Sequence, residues 1–259
     1  MEVAFTIAQI ETFLLVMTRV GGIFFFAPIF GGRPIPAVIK VSMTLWFSFS
    51  FLPAISPTQL PLPSDGFTMV AAVITELMIG ASIGLVGQVI NAAVQFGGHV
   101  IGTHMGFRIA NVFDPSTEES VTILGAFLNV VVVLLLLTFD FHLILIDTIA
   151  RSYEMIPIFG AVFSLGIVEV LLRMGSYFFV FAVQVVLPVL AAIFFTEVMI
   201  GVMAKVARQF NMLMLQFPIK ISIGMLFFFV VFKGLPDYVE YMLKTTVGQI
   251  HLLIQYMSP

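Results

Sequence analysis

The sequence predicts an all-α membrane protein, and three observations carry that expectation. Of the 259 residues, 60% are hydrophobic and only 10% charged, where ordinary globular domains carry about 25% charged residues. Mean hydropathy is +1.14, and a soluble fold of this length has too much surface to hide that much apolar material. The apolar residues also gather into long runs separated by short polar or Pro/Gly breaks. A net charge of −3 gives no reason to expect nucleic acid as a partner. The lack of cysteine excludes disulfides and thiolate chemistry. Met1-Glu2-Val3 has neither a basic n-region nor a cleavage site, so the first apolar segment is expected to serve as the membrane entry signal.

Seven hydrophobic stretches follow in order. The first spans Thr12 to Phe30 and holds Arg19; a Gly/Pro break covers residues 31–36. The second runs from Val41 to Ile55, closed by a Pro-rich loop from Pro57 to Pro63. The third, Phe67 to Ile90, contains Glu76, and a Gly-rich fourth covers Asn91 to Met105. A polar segment, 106–120, precedes the fifth, Val121 to Phe139. The sixth reaches from Leu165 to Met203; the seventh, Met212 to Phe232, is cut by Pro218 and Lys220, with a mildly amphipathic tail from Pro236. Only Val121–Phe139 and Met174–Thr196 are charge-free and long enough to be clean spans. A charge at mid-bilayer costs about 2.5–3.5 kcal/mol, so the remaining helices are expected to face protein or water.

Thr75-Glu76-Leu77-Met78-Ile79-Gly80 recurs as Thr196-Glu197-Val198-Met199-Ile200-Gly201, and Gln88, Gln95 and Phe96 match Gln209, Gln216 and Phe217 at the same offset. Chance in a biased composition competes with duplication, but the shared Glu and Gln are scarce here, which favours a duplicated helical unit. On a helix Glu76, Gly80 and Gly84 share a face, as do Glu197, Gly201 and Lys205. Each copy then sets a carboxylate on a small-residue stripe that a second helix can approach. Ion or proton binding is one reading of the two glutamates; polar contact between helices is the preferred one. Arg19, Glu76, Glu197, Lys205, Arg208 and Lys220 are therefore the expected inter-helix polar contacts, while Glu169 and Arg173 are placed to form a local i,i+4 pair.

Gly98, Gly102 and Gly106 permit close helix packing. They lead into Gly106-Phe107-Arg108-Ile109-Ala110-Asn111-Val112-Phe113-Asp114-Pro115, too apolar for a plain surface loop and too rich in turn formers for continuous helix. Irregular backbone at membrane depth survives only when it is buried in protein or lines a cavity. Asp140, His142 and Asp147 do not share a helix face, nor do His99 and His104, so no metal site is expected. No nucleophile elbow, phosphate loop or zinc motif appears, and neither a catalytic residue nor a cofactor is expected.

Four segments resemble the FliR family of flagellar biosynthetic proteins and its injectisome counterparts in type III secretion: RVGGIFFFAPIFGGRPIPAVIK (Arg19–Lys40), the Gly106–Pro115 loop, HLILIDTIARSYEMIP (His142–Pro157) and LPVLAAIFFTEVMIGVMAKVARQFNMLMLQFPIK (Leu187–Lys220). The resemblance implies helical hairpins in a helical export-gate assembly rather than a conventional transmembrane bundle. It implies a FliP-like part over residues 1–175 and a FliQ-like hairpin with a C-terminal tail over 176–259. The implied partners are FliP, FliQ and FlhB, unfolded export substrates in transit, and membrane lipid. The implied place is the bacterial inner membrane at the flagellar basal body. The loop at 106–116 would then plug a closed pore, with Phe107 and Phe113 as apolar stoppers. An ion-coupled secondary transporter built on the duplicated glutamates is the rival expectation. An intramembrane hydrolase lacks a nucleophile–base set.

Overall fold

A computed structural model of the chain describes residues 7–31, 35–55, 66–107, 122–206, 209 and 211–259. Every regular element among them is helical. These are α1 (Ile7–Phe26), α2 (Ala37–Phe51) with a short 3₁₀ turn (Leu52–Ala54), α3 (Gly66–Met105), α4 (Ile123–Thr138), α5 (Phe141–Met155), α6 (Leu165–Val206) and α7 (Met212–Met257).

The boundaries follow local chemistry. Extended Pro36 precedes the first turn of α2, and Pro53 turns its end into 3₁₀ geometry. At the end of α3, Gly106 adopts φ 92, and the amides of Gly106 and Phe107 donate back to the carbonyls of Thr103 and Gly102. Asp140, left-handed at φ 56, separates α4 from α5, which meet at a bend of 63°. By length and composition four helices could cross a membrane, or up to five if the bent α4–α5 pair counts as one span.

Three element expectations change. The third and fourth stretches are one helix of 40 residues, because nothing in Ile90-Asn91 breaks it and Asn91 is simply buried within the helix. The seventh stretch and the tail are likewise one helix of 46 residues that accommodates Pro218 and Pro236. Helix α5 falls outside the seven stretches, since Asp140, His142, Asp147 and Arg151 dilute its hydrophobicity. It is amphipathic, burying Phe141, Leu145, Thr148, Ile149 and Ser152 on one side.

The chain forms two compact units. The first comprises Met1–Val89, Leu136–Gly175 and Lys244–Pro259. Its core includes Val16, Val20, Ile23, Ile79, Ile83 and Leu145. Its C-terminal end is tied down where Val162 N–H donates to Met257 O at 3.0 Å and the Ser164 hydroxyl donates to Tyr256 O at 2.8 Å. The second comprises Ile90–Leu135 and Ser176–Leu243. In it α3 and α4 approach so closely that a Cβ on Gly98 would lie 2.9 Å from the Gly125 Cα. Phe127, Phe228 and Phe232 group there, as do Phe181, Tyr238 and Tyr241.

Candidate functional site

The most costly residues in the first unit meet at one point. Arg19, on α1, is fully buried, and Glu76, on α3, is 1% exposed. The guanidinium donates through Nε to Glu76 Oε2 at 2.5 Å and through Nη2 to Oε1 at 3.0 Å. This two-pronged geometry suits the rigid arginine fork. Its third nitrogen, Nη1, donates to the carbonyls of Ser152 and Ile156, each at 3.0 Å. Those carbonyls lie at the C-terminal end of α5, where the helix dipole favours a cation; the Ser152 oxygen also accepts the Ile156 amide, at 2.9 Å. The Tyr153 ring lies 4.2 Å from the guanidinium carbon, and its hydroxyl donates to Val16 O at 3.2 Å. One side chain therefore fastens α1, α3 and α5.

Glycine makes this contact possible. A Cβ on Gly80 would fall 2.2 Å from the Arg19 carbonyl oxygen, and one on Gly22 would fall 2.9 Å from the Ala81 nitrogen. Gly84 continues the stripe, its position 2.8 Å from the Phe26 Cβ. The backbones of α1 and α3 are thus in near contact, and the arginine reaches its carboxylate without crossing a gap.

In the second unit, Glu197 on α6 and Lys220 on α7 are joined by a 2.6 Å bond from Nζ to Oε1. The glutamate is 42% exposed there and the lysine 15%. Lys205 is exposed on the last turn of α6 and takes no part in this pair. Arg208 lies outside the described residues. Glu169 and Arg173 pair along α6 at 2.7 Å, in the open. Of the loop, Gly106 and Phe107 are described, with Phe107 half-buried, whereas Arg108 to Pro115 lie outside the described residues.

The Ser152 and Ile156 carbonyls and Tyr153 escape sequence reasoning. The signal available is Pro157, which forces Ile156 out of helical geometry and removes a backbone donor, leaving a helix end that calls for a cation.

Among the described residues no group of His, Asp or Glu is arranged to hold a metal. Both oxygens of Glu76 are already taken by one guanidinium, so it offers no open carboxylate to a transported ion. The chain is thus a membrane-embedded helical protein whose buried Arg19–Glu76 pair joins α1 to α3. It belongs to the bacterial export proteins, family 1, whose pattern matches residues 10–246. It is similar to three proteins named flagellar biosynthetic protein FliR. That of Bacillus subtilis (strain 168) is 31% identical over 216 residues, 82% of each chain. That of Pectobacterium carotovorum subsp. carotovorum is 27% identical, covering 90% of this chain and 88% of the relative. That of Escherichia coli (strain K12) is 26% identical, covering 76% and 75%. Membership makes this chain a flagellar export component and not an enzyme, one that works with other components of the export apparatus in a membrane.

Proposed function

We propose that the chain is a subunit of the flagellar type III protein export gate in the bacterial inner membrane, at the base of the flagellum. It assembles with FliP and FliQ and is joined by FlhB. It forms part of the channel for unfolded substrates and supplies the Gly106–Ser116 loop as a plug. Residues 1–175 act as the FliP-like part and 176–259 as the FliQ-like hairpin. One observation carries the assembly: long apolar helices expose charged groups well inside their length. Lys233 on α7 is exposed, as are the Glu169–Arg173 pair and Glu197 on α6. Hydrocarbon does not accept such groups cheaply, and neighbouring subunits do.

The plug follows from the same physics. A narrow apolar constriction holds water and ions poorly, yet yields when a chain is driven into it. In support, the α3 helix stops at Gly106, with φ 92, immediately before Phe107, the first of the two apolar stoppers in this reading. Deleting residues 107 to 113 in the assembled gate is expected to raise ion leakage across the membrane several-fold over the intact gate. Unchanged leakage with normal assembly overturns the plug.

A further inference from the structure

One buried face of the first unit carries polar atoms that lack a partner among the described residues. From Lys244 onward α7 belongs to that unit and buries Thr246, Gln249, Ile250, Leu253, Ile254 and Met257, the spacing of a helix with one side against protein. The segment is fixed in place. A Cβ on Gly166 would lie 2.5 Å from the Tyr256 ring, and the Ser164 hydroxyl donates to Tyr256 O. Thr246 is fully buried and Gln249 is 8% exposed, yet neither Thr246 Oγ1 nor Gln249 Oε1 has a hydrogen-bond partner there. A helical hydroxyl commonly bonds back to a carbonyl three or four residues earlier. Those of Thr18, Thr44, Ser48, Thr103, Thr148 and Thr196 all do so, at 2.6–2.8 Å. The Thr246 hydroxyl does not bond the Met242 carbonyl in this way, nor does it bond Gln249.

We propose that Thr246 and Gln249 hold one buried water between them, a hydration site built into the seam of the first unit. Residues at i and i+3 stand side by side on a helix, with Cβ atoms about 5–6 Å apart, a gap that one molecule with two hydrogen bonds can bridge. The water donates to Gln249 Oε1, which only accepts, and meets Thr246 Oγ1, which both donates and accepts. Internal waters sit where they make such bonds to buried polar groups that the protein leaves unpaired. Burying either group unpaired is unfavourable, and one shared water removes both penalties. A metal cation is the poorer occupant. Hard cations gather six or more oxygens, commonly with carboxylates among them, and no group of acidic or histidine side chains is arranged for a metal among the described residues. The site lies inside one unit of the chain and needs no partner subunit.

Thermal unfolding of the full chain in detergent reads the sign of the effect. Thr246→Val keeps the side-chain shape and removes the hydroxyl, which strands the water and Gln249 Oε1. It is expected to lower the unfolding midpoint by about 2–4 °C, the shift of one lost hydrogen bond at this chain length. The double variant Thr246→Val with Gln249→Met is expected to fall no further than the worse single variant, because both changes act on the same water. A cryo-EM map fine enough to show waters is expected to place a density peak about 2.8 Å from both oxygens. A midpoint that stays or rises in Thr246→Val overturns the water, since removing a dry, unpaired hydroxyl relieves a penalty. Additive losses in the double variant overturn it as well, as does a map in which a protein group fills that position.

Discussion

The two copies of the glutamate–glycine motif share almost the same six residues and have opposite surroundings. Around Glu76 both carboxylate oxygens are bonded, each guanidinium nitrogen of Arg19 has an acceptor, and the glycine surface is in contact with α1. Around Glu197, among the described residues, one oxygen is bonded, nothing lies within 4 Å of a Cβ on the glycine, and the neighbouring apolar side chains are about half exposed. The motif is therefore an adaptor whose energetic worth is set by what approaches it. Shared sequence does not impose shared backbone either. Gln88 and Phe96 sit within unbroken α3, whereas their counterparts Gln209 and Phe217 fall after α6 has ended and within the first turns of α7.

The sharpest way to break this contrast is to remove Arg19. Arg19→Ala leaves Glu76 buried without its partner and strips a donor from the Ser152 and Ile156 carbonyls. Breaking one side of a buried ion pair costs about 3–5 kcal/mol, a large share of the roughly 5–15 kcal/mol by which domains are stable. The expected result is a steep fall in folded chain, measured by thermal unfolding in detergent and by steady-state level in membranes. Arg19→Lys keeps the charge but loses the fork and is expected to fall between. Replacing the pair together, Arg19→Met with Glu76→Leu, is expected to recover much of the loss, because no charge is then stranded. An Arg19→Ala chain that unfolds like the wild type would refute the lock.

Next in size is a pair of matched glycine substitutions. Gly80→Ala pushes a methyl to within 2.2 Å of the Arg19 carbonyl oxygen, so α1 must move, at a cost of about 1–3 kcal/mol. Gly201→Ala meets nothing within 4 Å among the described residues and gains helix propensity of about 1 kcal/mol. The same change at matched positions is thus expected to shift the unfolding midpoint in opposite directions. Equal shifts would show that the two environments are alike.

The helical character of the chain was legible because composition and long apolar runs leave few alternatives. The stripe of Glu76, Gly80 and Gly84 was legible too, because helical periodicity alone puts the three on one face. What could not be read was which helix answers it. Arg19 and Glu76 are far apart in sequence, and nothing local distinguishes Arg19 from Lys220 as the partner. Helix α5 was hidden because its buried side alternates with Asp147, Arg151 and Glu154, which lower any average taken along the chain. Helix continuity through Pro236 was hidden because a proline normally marks a stop, and α7 carries it within 46 residues all the same.

The smallest effect is expected at Glu197 and sharpens the contrast from its weak side. Glu197→Gln removes a charge that is 42% exposed and bonded through one oxygen. Exposed pairs contribute about 0–1 kcal/mol, so the isolated chain should unfold within that margin of the wild type. Most of the remaining cost falls on Lys220, which is only 15% exposed and keeps at best a neutral amide oxygen in place of its counter-charge. Adding Lys220→Met should therefore restore whatever stability Glu197→Gln removes. A loss as large as that of Arg19→Ala would mean that the second copy is as tightly integrated as the first. In that case its open glycine would have to be covered by the chain itself.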